Sequence, residues 1–192
     1  MDRGEFVKRV GVGSIGLGAL AAGPVALAAR PGFPKGNGHQ HFTLVALSGT
    51  TPSVIGGIQH MMVLEGAGTF KAGSGEHADG GGNFVHLNFA APTAPGQPFA
   101  SGKWEVTDFI SYSTPVADYG RVRASIITVS VELHPDAGGS VAGTLLVACN
   151  VGFAGILTGQ PEGFKLDLGS INFNAPFAGL THISIPEGES SA

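Results

Sequence analysis

Two histidines separated by one residue, His39 and His41, have the residue type and the spacing of metal ligands. On an extended strand, residues two positions apart point to the same side, so both imidazoles can bind one ion. Two ligands hold a metal weakly, so other side chains would have to complete the site. The candidates are His60, His77, His86, His182, Glu65, Glu76 and Asp79. One hypothesis is therefore a divalent transition metal at His39 and His41; the alternative is a pair of solvated histidines and no cofactor.

Two other polar side chains, His60 and Asp108, fall on the apolar sides of predicted strands. His60 alternates with Ile58 and Met62, and Asp108 alternates with large apolar residues of its own segment. A carboxyl group inside a β-barrel would have its pKa raised by burial, or would pair with a partner such as His60 or Arg123, and so become a candidate acid or base. The alternative is an internally hydrogen-bonded group, or a strand whose apolar face points outward. The expected lining of a ligand cavity is His60, His86, Trp104, Asp108 and Tyr112.

Two methionines, Met61 and Met62, follow His60 directly. Thioether sulfur and imidazole are both ligands that suit copper, so these three residues are a candidate soft metal site. The alternative is that both methionines fill the core of the protein, as methionine in a strand commonly does.

The sequence gives no sign of a catalytic cysteine or serine. Cys149 is the only cysteine, and it shares the apolar side of segment 141–151 with Leu145 and Val147. Such a thiol is expected to be buried and unreactive. A Ser, His and Asp triad or a pair of catalytic carboxylates is not identifiable from the spacing of residues. The sequence therefore names no catalytic residue, which favours a protein without enzymatic activity and leaves the question open.

The composition of the 192-residue chain indicates an all-β protein with a single domain. Charged residues make up only 12% of the chain, while glycine and proline contribute 32 and 12 residues, a balance that suits short strands joined by turns. Gly80, Gly81 and Gly82 are predicted to be turn residues with positive φ, because the Lys and Ser or Thr of a phosphate loop do not follow them. Strands are predicted at 41–47, 58–65, 83–89, 103–113, 121–134, 141–151, 163–168, 170–175 and 179–185.

These strands are expected to form an antiparallel barrel, with a two-sheet sandwich as the alternative. The apolar side of segment 121–134 changes at Ile126 and Ile127, as it does at a β-bulge, and bulges bend sheets. Residues 66–89 are a predicted hairpin, and their strand end GAGTF resembles the Gly-x-Gly-x-Phe strand of secreted barrels of the allene oxide cyclase and dirigent type. The resemblance implies a barrel and carries over no catalytic residue.

Residues 1–28 have the pattern of an export signal, with a basic start, an apolar segment and the small-residue cleavage site Ala26-Leu27-Ala28. The segment DRGEFVK resembles the twin-arginine class of bacterial signals, with Gly4 in place of the second arginine. The resemblance implies export of an already folded protein; the alternative is an ordinary secretory peptide. The expected division of the chain is an export signal at 1–28, a flexible tether at 29–40, a β-barrel domain at 41–188 and a tail at 189–192.

Charge narrows the set of partners. Without residues 1–28, seven Lys or Arg stand against twelve Asp or Glu, so neither nucleic acid nor an anionic membrane surface is an expected partner. The sequence predicts an exported, periplasmic or extracellular bacterial protein that is a non-catalytic binding or structural module and holds a small apolar ligand in the barrel. The first alternative is a metal-binding protein or enzyme that uses His39, His41 and another histidine. The second is a surface protein that self-associates through edge strands.

Overall fold

The computed structural model of the chain describes residues 39–50, 60–88, 97–113, 117–119, 121–150 and 158–184. The predicted export signal, nearly all of the predicted tether and the C-terminal tail lie outside these residues. The described residues form ten β-strands and no α-helix, which confirms the all-β prediction. They also contain no helix long and apolar enough to cross a bilayer. The strands are β1 (Gln40–Gly49), β2 (His60–Lys71), β3 (His77–Asn88), β4 (Gln97–Tyr112), β5 (Ala117–Tyr119), β6 (Val122–Pro135), β7 (Val141–Cys149), β8 (Gly163–Asp167), β9 (Asn172–Phe173) and β10 (Ala175–Ser184).

The strands belong to one sheet in which neighbours pair in the antiparallel direction. Neighbours follow the order β10, β1, β2, β3, β4, β6, β7, β8 and β9, with β5 beside β6. A further pairing, between Ser184 of β10 and Val122 of β6, joins the two ends of the path from β10 to β6 into a partial ring. The antiparallel sheet is therefore confirmed, while closure into a barrel rather than a sandwich stays a prediction.

Alternation of apolar residues explains why one side of the sheet, here called the inner side, carries the core. In β1, Phe42, Leu44 and Ala46 are at most 1% exposed, and the residues between them are only partly buried. Each large apolar side chain that is fully buried contributes about 1.5–3 kcal/mol to folding. The inner side of the other strands supplies Leu64, Phe84, Trp104, Val129, Leu145, Leu166 and Ile183 to the same core.

The hairpin predicted at 66–89 is present as β2 and β3, but the glycine triplet 80–82 is not its turn. The turn lies at 72–76, and the triplet lies inside β3, so the prediction of three turn glycines was wrong, although Gly80 has the positive φ expected of it, 152°. A Cβ added to Gly66, which faces the triplet across the hairpin, would lie 2.5 Å from the ring of Trp104. The glycines therefore make room for a bulky side chain and for a close approach of the two strands.

Three β-bulges lie in β4, where Phe99, Thr107 and Ile110 are extra residues in the register. The bulge predicted in β6 at Ile126 and Ile127 was wrong, because β6 keeps its register with β7 and its neighbour β4 carries the extra residues. Each extra residue turns the side chains that follow it to the other side of the sheet. The bulges therefore decide which residues of β4 face the core.

Candidate functional site

A pair of histidines lies on the inner side of the sheet, at the end where β2 begins and β3 finishes. His60 is the first residue of β2 and is 5% exposed, whereas His86 of β3 is partly buried. His60 Nδ1 and His86 Nε2 are hydrogen-bonded at a distance of 2.8 Å. Both residues were expected to line a ligand cavity, and the structure brings these two together.

The register of the hairpin explains why these side chains meet. His86 is directly opposite Met62, and Met62 lies two residues after His60 on the same strand. Because side chains alternate along a strand and face each other across a pair, all three point to the inner side. Met62 is 1% exposed. His60, Met62 and His86 therefore leave the backbone at neighbouring positions of the buried surface.

Two phenylalanines pack against the histidine pair. The ring of Phe99, a bulge residue of β4, has its centroid 5.8 Å from that of His60 and 4.9 Å from that of His86, both edge to face. Phe173 of β9 is fully buried, and its ring lies 5.2 Å from that of His86 at 90°. Such aromatic pairs contribute about 0.5–1.5 kcal/mol beyond the area they bury. The imidazoles are therefore held in an apolar environment.

This environment keeps both histidines neutral near pH 7. Burial lowers the pKa of His60 below its ordinary value of 6.5. Burial, and to a smaller extent the neighbouring His60, lower the pKa of His86 to about 4. Each ring therefore carries one hydrogen and one lone pair, and the hydrogen bond between the rings requires a hydrogen on one of the two facing nitrogens and a lone pair on the other.

The pair leaves Nε2 of His60 buried and without a hydrogen-bond partner among the described residues. If Nδ1–H of His60 donates to His86, Nε2 of His60 is a buried lone pair. If Nε2–H of His86 donates to His60, Nε2 of His60 is instead a buried donor. A buried polar atom without a partner costs about 1–3 kcal/mol. Either arrangement therefore leaves one buried polar atom of His60 without a partner among the described residues.

Two other predicted lining residues, Trp104 and Tyr112, do not join the histidines. Trp104 is 2% exposed, and its Nε1 donates to the backbone oxygen of Glu65 at 3.1 Å. Tyr112 packs against Phe70, with ring centroids 4.9 Å apart. Phe70 and His60 are separated along β2 by about 33 Å, ten times the rise per residue. Tyr112 therefore lies at the opposite end of the sheet from His60.

Asp108 is exposed, so its expected place on the inner side was wrong. The bulge at Thr107 shifts the alternation of β4, and Asp108 pairs with Ser130 on the outer side. Its Oδ1 accepts a hydrogen bond from the backbone N–H of Phe109 at 2.8 Å. The carboxylate therefore faces solvent rather than the histidine pair.

His39 and His41 lie at the start of β1 and are both partly buried. Burial lowers the pKa of His41, and the charges of Arg121 and then His39 lower it further. A metal cation beside His41 would experience the same repulsion from Arg121. Among the described residues, neither histidine belongs to a group of three His, Cys, Asp or Glu side chains close enough to share an ion.

A different group of possible ligands, not named from the sequence, lies on the outer side of β4 and β6. Ligand atoms of Glu105, Glu132 and His134 all lie within 4.8 Å of one another, and His134 Nε2 is 3.2 Å from Glu105 Oε1. Glu132 and His134 are two residues apart in the sequence, which is a signal of a shared side. Glu105, the third residue of the group, could not be found in this way, because only the register between β4 and β6 places it opposite Glu132.

Cys149 is fully buried, as the sequence predicted. Burial raises the pKa of its thiol to about 11, which keeps it protonated and unreactive. Its Sγ donates to the backbone oxygen of Thr181 at 3.6 Å. Thr181 in turn has its hydroxyl 2.6 Å from the backbone oxygen of Ala148 and 2.5 Å from Glu162 Oε1. The thiol is therefore part of a buried hydrogen-bonded network and not a nucleophile.

Comparisons of the chain with protein-family profiles, with curated proteins and with solved structures find no match in any of the three. Function is therefore inferred from the geometry of the molecule itself.

Proposed function

We propose that the chain is an exported, non-catalytic binding module whose ligand site is formed by His60, His86, Phe99 and Phe173. These four residues are called the histidine end below. Export is supported by the signal-like pattern of residues 1–28. A non-catalytic role is supported by where the candidate reactive groups lie. Asp108 is exposed on the outer side, and Cys149 is a buried thiol.

The observation that carries the proposal is the buried Nε2 atom of His60. Most buried polar atoms of native proteins have a hydrogen-bond partner, and an atom without one requires a physical explanation. This nitrogen is part of a neutral ring that contacts the ring of Phe99 and the imidazole of His86, and Phe173 packs against the other side of the pair, on His86. A ligand that binds the nitrogen and contacts the rings with the rest of its surface would satisfy the atom without disturbing the core.

The ligand is small, because the inner side of the described sheet is filled by its own side chains. Phe42, Phe70, Phe164 and Phe173 are fully buried there. The ligand expected from the sequence to lie along the barrel interior is therefore proposed at the histidine end instead. The ring centroids of the histidine end are about 5–6 Å apart, which is the normal separation of aromatic rings in contact. Only a ligand of few atoms can therefore fit beside these rings.

The proposal is tested by a ligand screen that reads the histidines directly. Small, mostly apolar compounds are added to protein labelled with ¹⁵N in histidine, while ring signals and thermal stability are recorded. A ligand of the histidine end should shift the ring signals of His60 and His86 and raise the Tm. His60→Leu should abolish the rise in Tm, and the control His182→Ala, at an exposed position of β10, should retain it. Compounds that stabilise His60→Leu as strongly as the natural protein would contradict the proposal.

A divalent cation on the outer side is a second candidate, favoured by the cross-strand pair of Glu105 and Glu132. Like charges directly opposite each other destabilise a strand pair, and a cation shared with His134 would relieve that repulsion. Calorimetric titration with Zn²⁺ should give binding that is lost in Glu132→Gln and kept in the control Glu76→Gln, which alters an exposed turn residue. Equal binding by both variants would exclude this group as the site.

A further inference from the structure

We propose that the ligand of the histidine end is one monovalent copper ion, bound by His60 Nε2 and the sulfur of Met62, with His86 as a positioning residue. The inference rests on the proposed function in one respect, since it uses the same buried nitrogen. It adds the chemical class of the ligand and a second ligand atom, the thioether sulfur.

The two ligand residues are next to each other on the inner side of β2. His60 and Met62 are two residues apart and are 5% and 1% exposed. Residues at this separation on a strand are about 6.6 Å apart, twice the rise per residue, so an imidazole and a thioether can both reach an ion between them. Met61 is the next residue along and points to the other side of the strand. Met62, rather than Met61, is therefore on the side of β2 that carries His60, as the alternation in the sequence indicated.

A hydrogen bond donated by Nδ1–H of His60 to His86 would leave the lone pair of His60 at Nε2. When Nδ1–H of His60 donates to His86 Nε2 at 2.8 Å, the only free lone pair of the His60 ring is on the buried Nε2 atom. Histidines that bind metals almost always donate their other ring N–H to an acceptor, which orients the ring and increases its basicity. His86 is such an acceptor, held in place by Phe99 and Phe173.

The nature of the ligands and their surroundings favours copper in its monovalent state. A thioether is a soft ligand that selects Cu(I), and imidazole also binds copper. Among the described residues, the group of three close His, Cys, Asp or Glu side chains lies elsewhere, on the outer side, so no anionic cluster is present here to neutralise a divalent ion. Placing a charge in an apolar environment is costly, and the cost is smaller for a single charge than for a double one.

The experiment is a competition for Cu(I) between the full chain, purified metal-free and without a His-tag, and a colorimetric Cu(I) chelator under anaerobic, reducing conditions. The natural protein should bind one equivalent. Met62→Leu and His60→Leu should each weaken binding at least tenfold, whereas the matched control Met61→Leu should bind as the natural protein does. X-ray absorption of the complex should detect nitrogen and sulfur ligands. Fluorescence of Trp104, the only tryptophan, checks that each variant is folded.

His86 is tested by substitutions that separate positioning from packing. His86→Gln keeps a hydrogen-bond acceptor near His60 and should retain affinity within a few-fold, whereas His86→Leu removes the acceptor and should lower affinity about as much as loss of a ligand. Equal affinity of these two variants would contradict the positioning role.

The remaining outcomes separate the two proposals. Organic ligands that shift the His60 signals while Cu(I) does not bind would overturn the copper inference and leave the binding site in place. Zn²⁺ bound by the same residues in preference to Cu(I) would also overturn it. If no ligand of any class affects His60, both proposals fail. An equal loss of Cu(I) affinity in Met61→Leu and Met62→Leu would exclude the proposed thioether ligand.

Discussion

Two buried polar residues, Thr181 in β10 and His60 in β2, differ in whether their polar atoms find partners. Thr181 is 7% exposed, its backbone N–H donates to Glu162 Oε1 at 2.9 Å, and its hydroxyl lies 2.6 Å from the backbone oxygen of Ala148. His60 is 5% exposed, and its Nδ1 atom is hydrogen-bonded to His86. Its Nε2 atom, however, has no partner among the described residues.

The difference distinguishes a structural polar group from a candidate binding group. The hydrogen bonds of Thr181 hold β10 to the end of β7 and to Glu162, so its polarity is used by the fold itself. At His60 the Nε2 atom makes no hydrogen bond to the described residues although it is buried, and this lowers the stability of the folded protein. Under the proposed function, binding of a ligand to Nε2 would recover this free energy at His60, whereas Thr181 has no such free energy to recover.

The largest effect is expected from acid, on the metal-free protein. The pKa of His86 is about 4 in the folded protein and about 6.5 when unfolded, so between these values the unfolded chain binds more protons. Stability should therefore be complete above pH 6.5 and should fall as the pH is lowered toward 4. One histidine sets a maximum slope of about 1.4 kcal/mol per pH unit, and partial exposure of His86 reduces it. Urea unfolding at a series of pH values measures this slope.

Acid also protonates carboxylates, so a variant without the two imidazoles is the control. The double substitution His60→Leu and His86→Leu removes both partners together, which is often close to neutral for stability at pH 7. Its unfolding free energy should depend less on pH between 6.5 and 4 than that of the natural protein. Identical pH profiles would mean that the histidine pair is not held neutral by burial.

The next effect is expected at Thr181, where a polar group is fully used by the fold. Thr181→Val keeps the shape of the side chain and removes the hydroxyl, which donates its one hydrogen to either the Ala148 oxygen or Glu162 Oε1. The unfolding free energy should fall by about 1–3 kcal/mol. The control Thr144→Val, at an exposed position of β7, should change it by less than about 0.5 kcal/mol. If Thr181→Val lowered the unfolding free energy no more than Thr144→Val does, the hydroxyl of Thr181 would not be stabilising the fold, and Thr181 would not differ from His60 in this respect.

Sequence alone predicts those features that depend on one strand at a time. Alternation in β7 placed Leu145, Val147 and Cys149 on the core side, and all three are fully buried. The high glycine content and low charge indicated an all-β chain, which the ten strands confirm. The same reasoning put His60 on an apolar side, because its neighbours Met62 and Leu64 alternate with it. Each of these inferences uses only the period of two along a strand.

Features that depend on which residues face each other could not be predicted in this way. Asp108 follows a bulge at Thr107, and a bulge is defined by the register with β6 rather than by the sequence of β4. The meeting of His60 with His86 depends in the same manner on the length of the turn that sets the register of β2 and β3. Gly66 of β2 is explained only when the ring of Trp104 is placed against the hairpin, and the glycines of β3 only when the backbones of the neighbouring strands are placed against them.

The smallest effect on stability is expected at Phe99, which nevertheless should control the chemistry of the histidines. Phe99 is a bulge residue that is 66% exposed, so Phe99→Ala should lower the unfolding free energy by less than about 1 kcal/mol. Its ring packs edge to face against His86, with centroids 4.9 Å apart, and burial is the main cause of the low pKa there. Removal of the ring should therefore raise the pKa of His86 toward 6.5, as measured by NMR titration.

The matched control is Phe177→Ala, which alters a bulge phenylalanine of β10 that is 52% exposed. Phe177→Ala should leave the pKa of His86 unchanged. If both variants raised this pKa equally, the cause would be a general loosening of the sheet rather than the loss of the Phe99 ring from the histidine end.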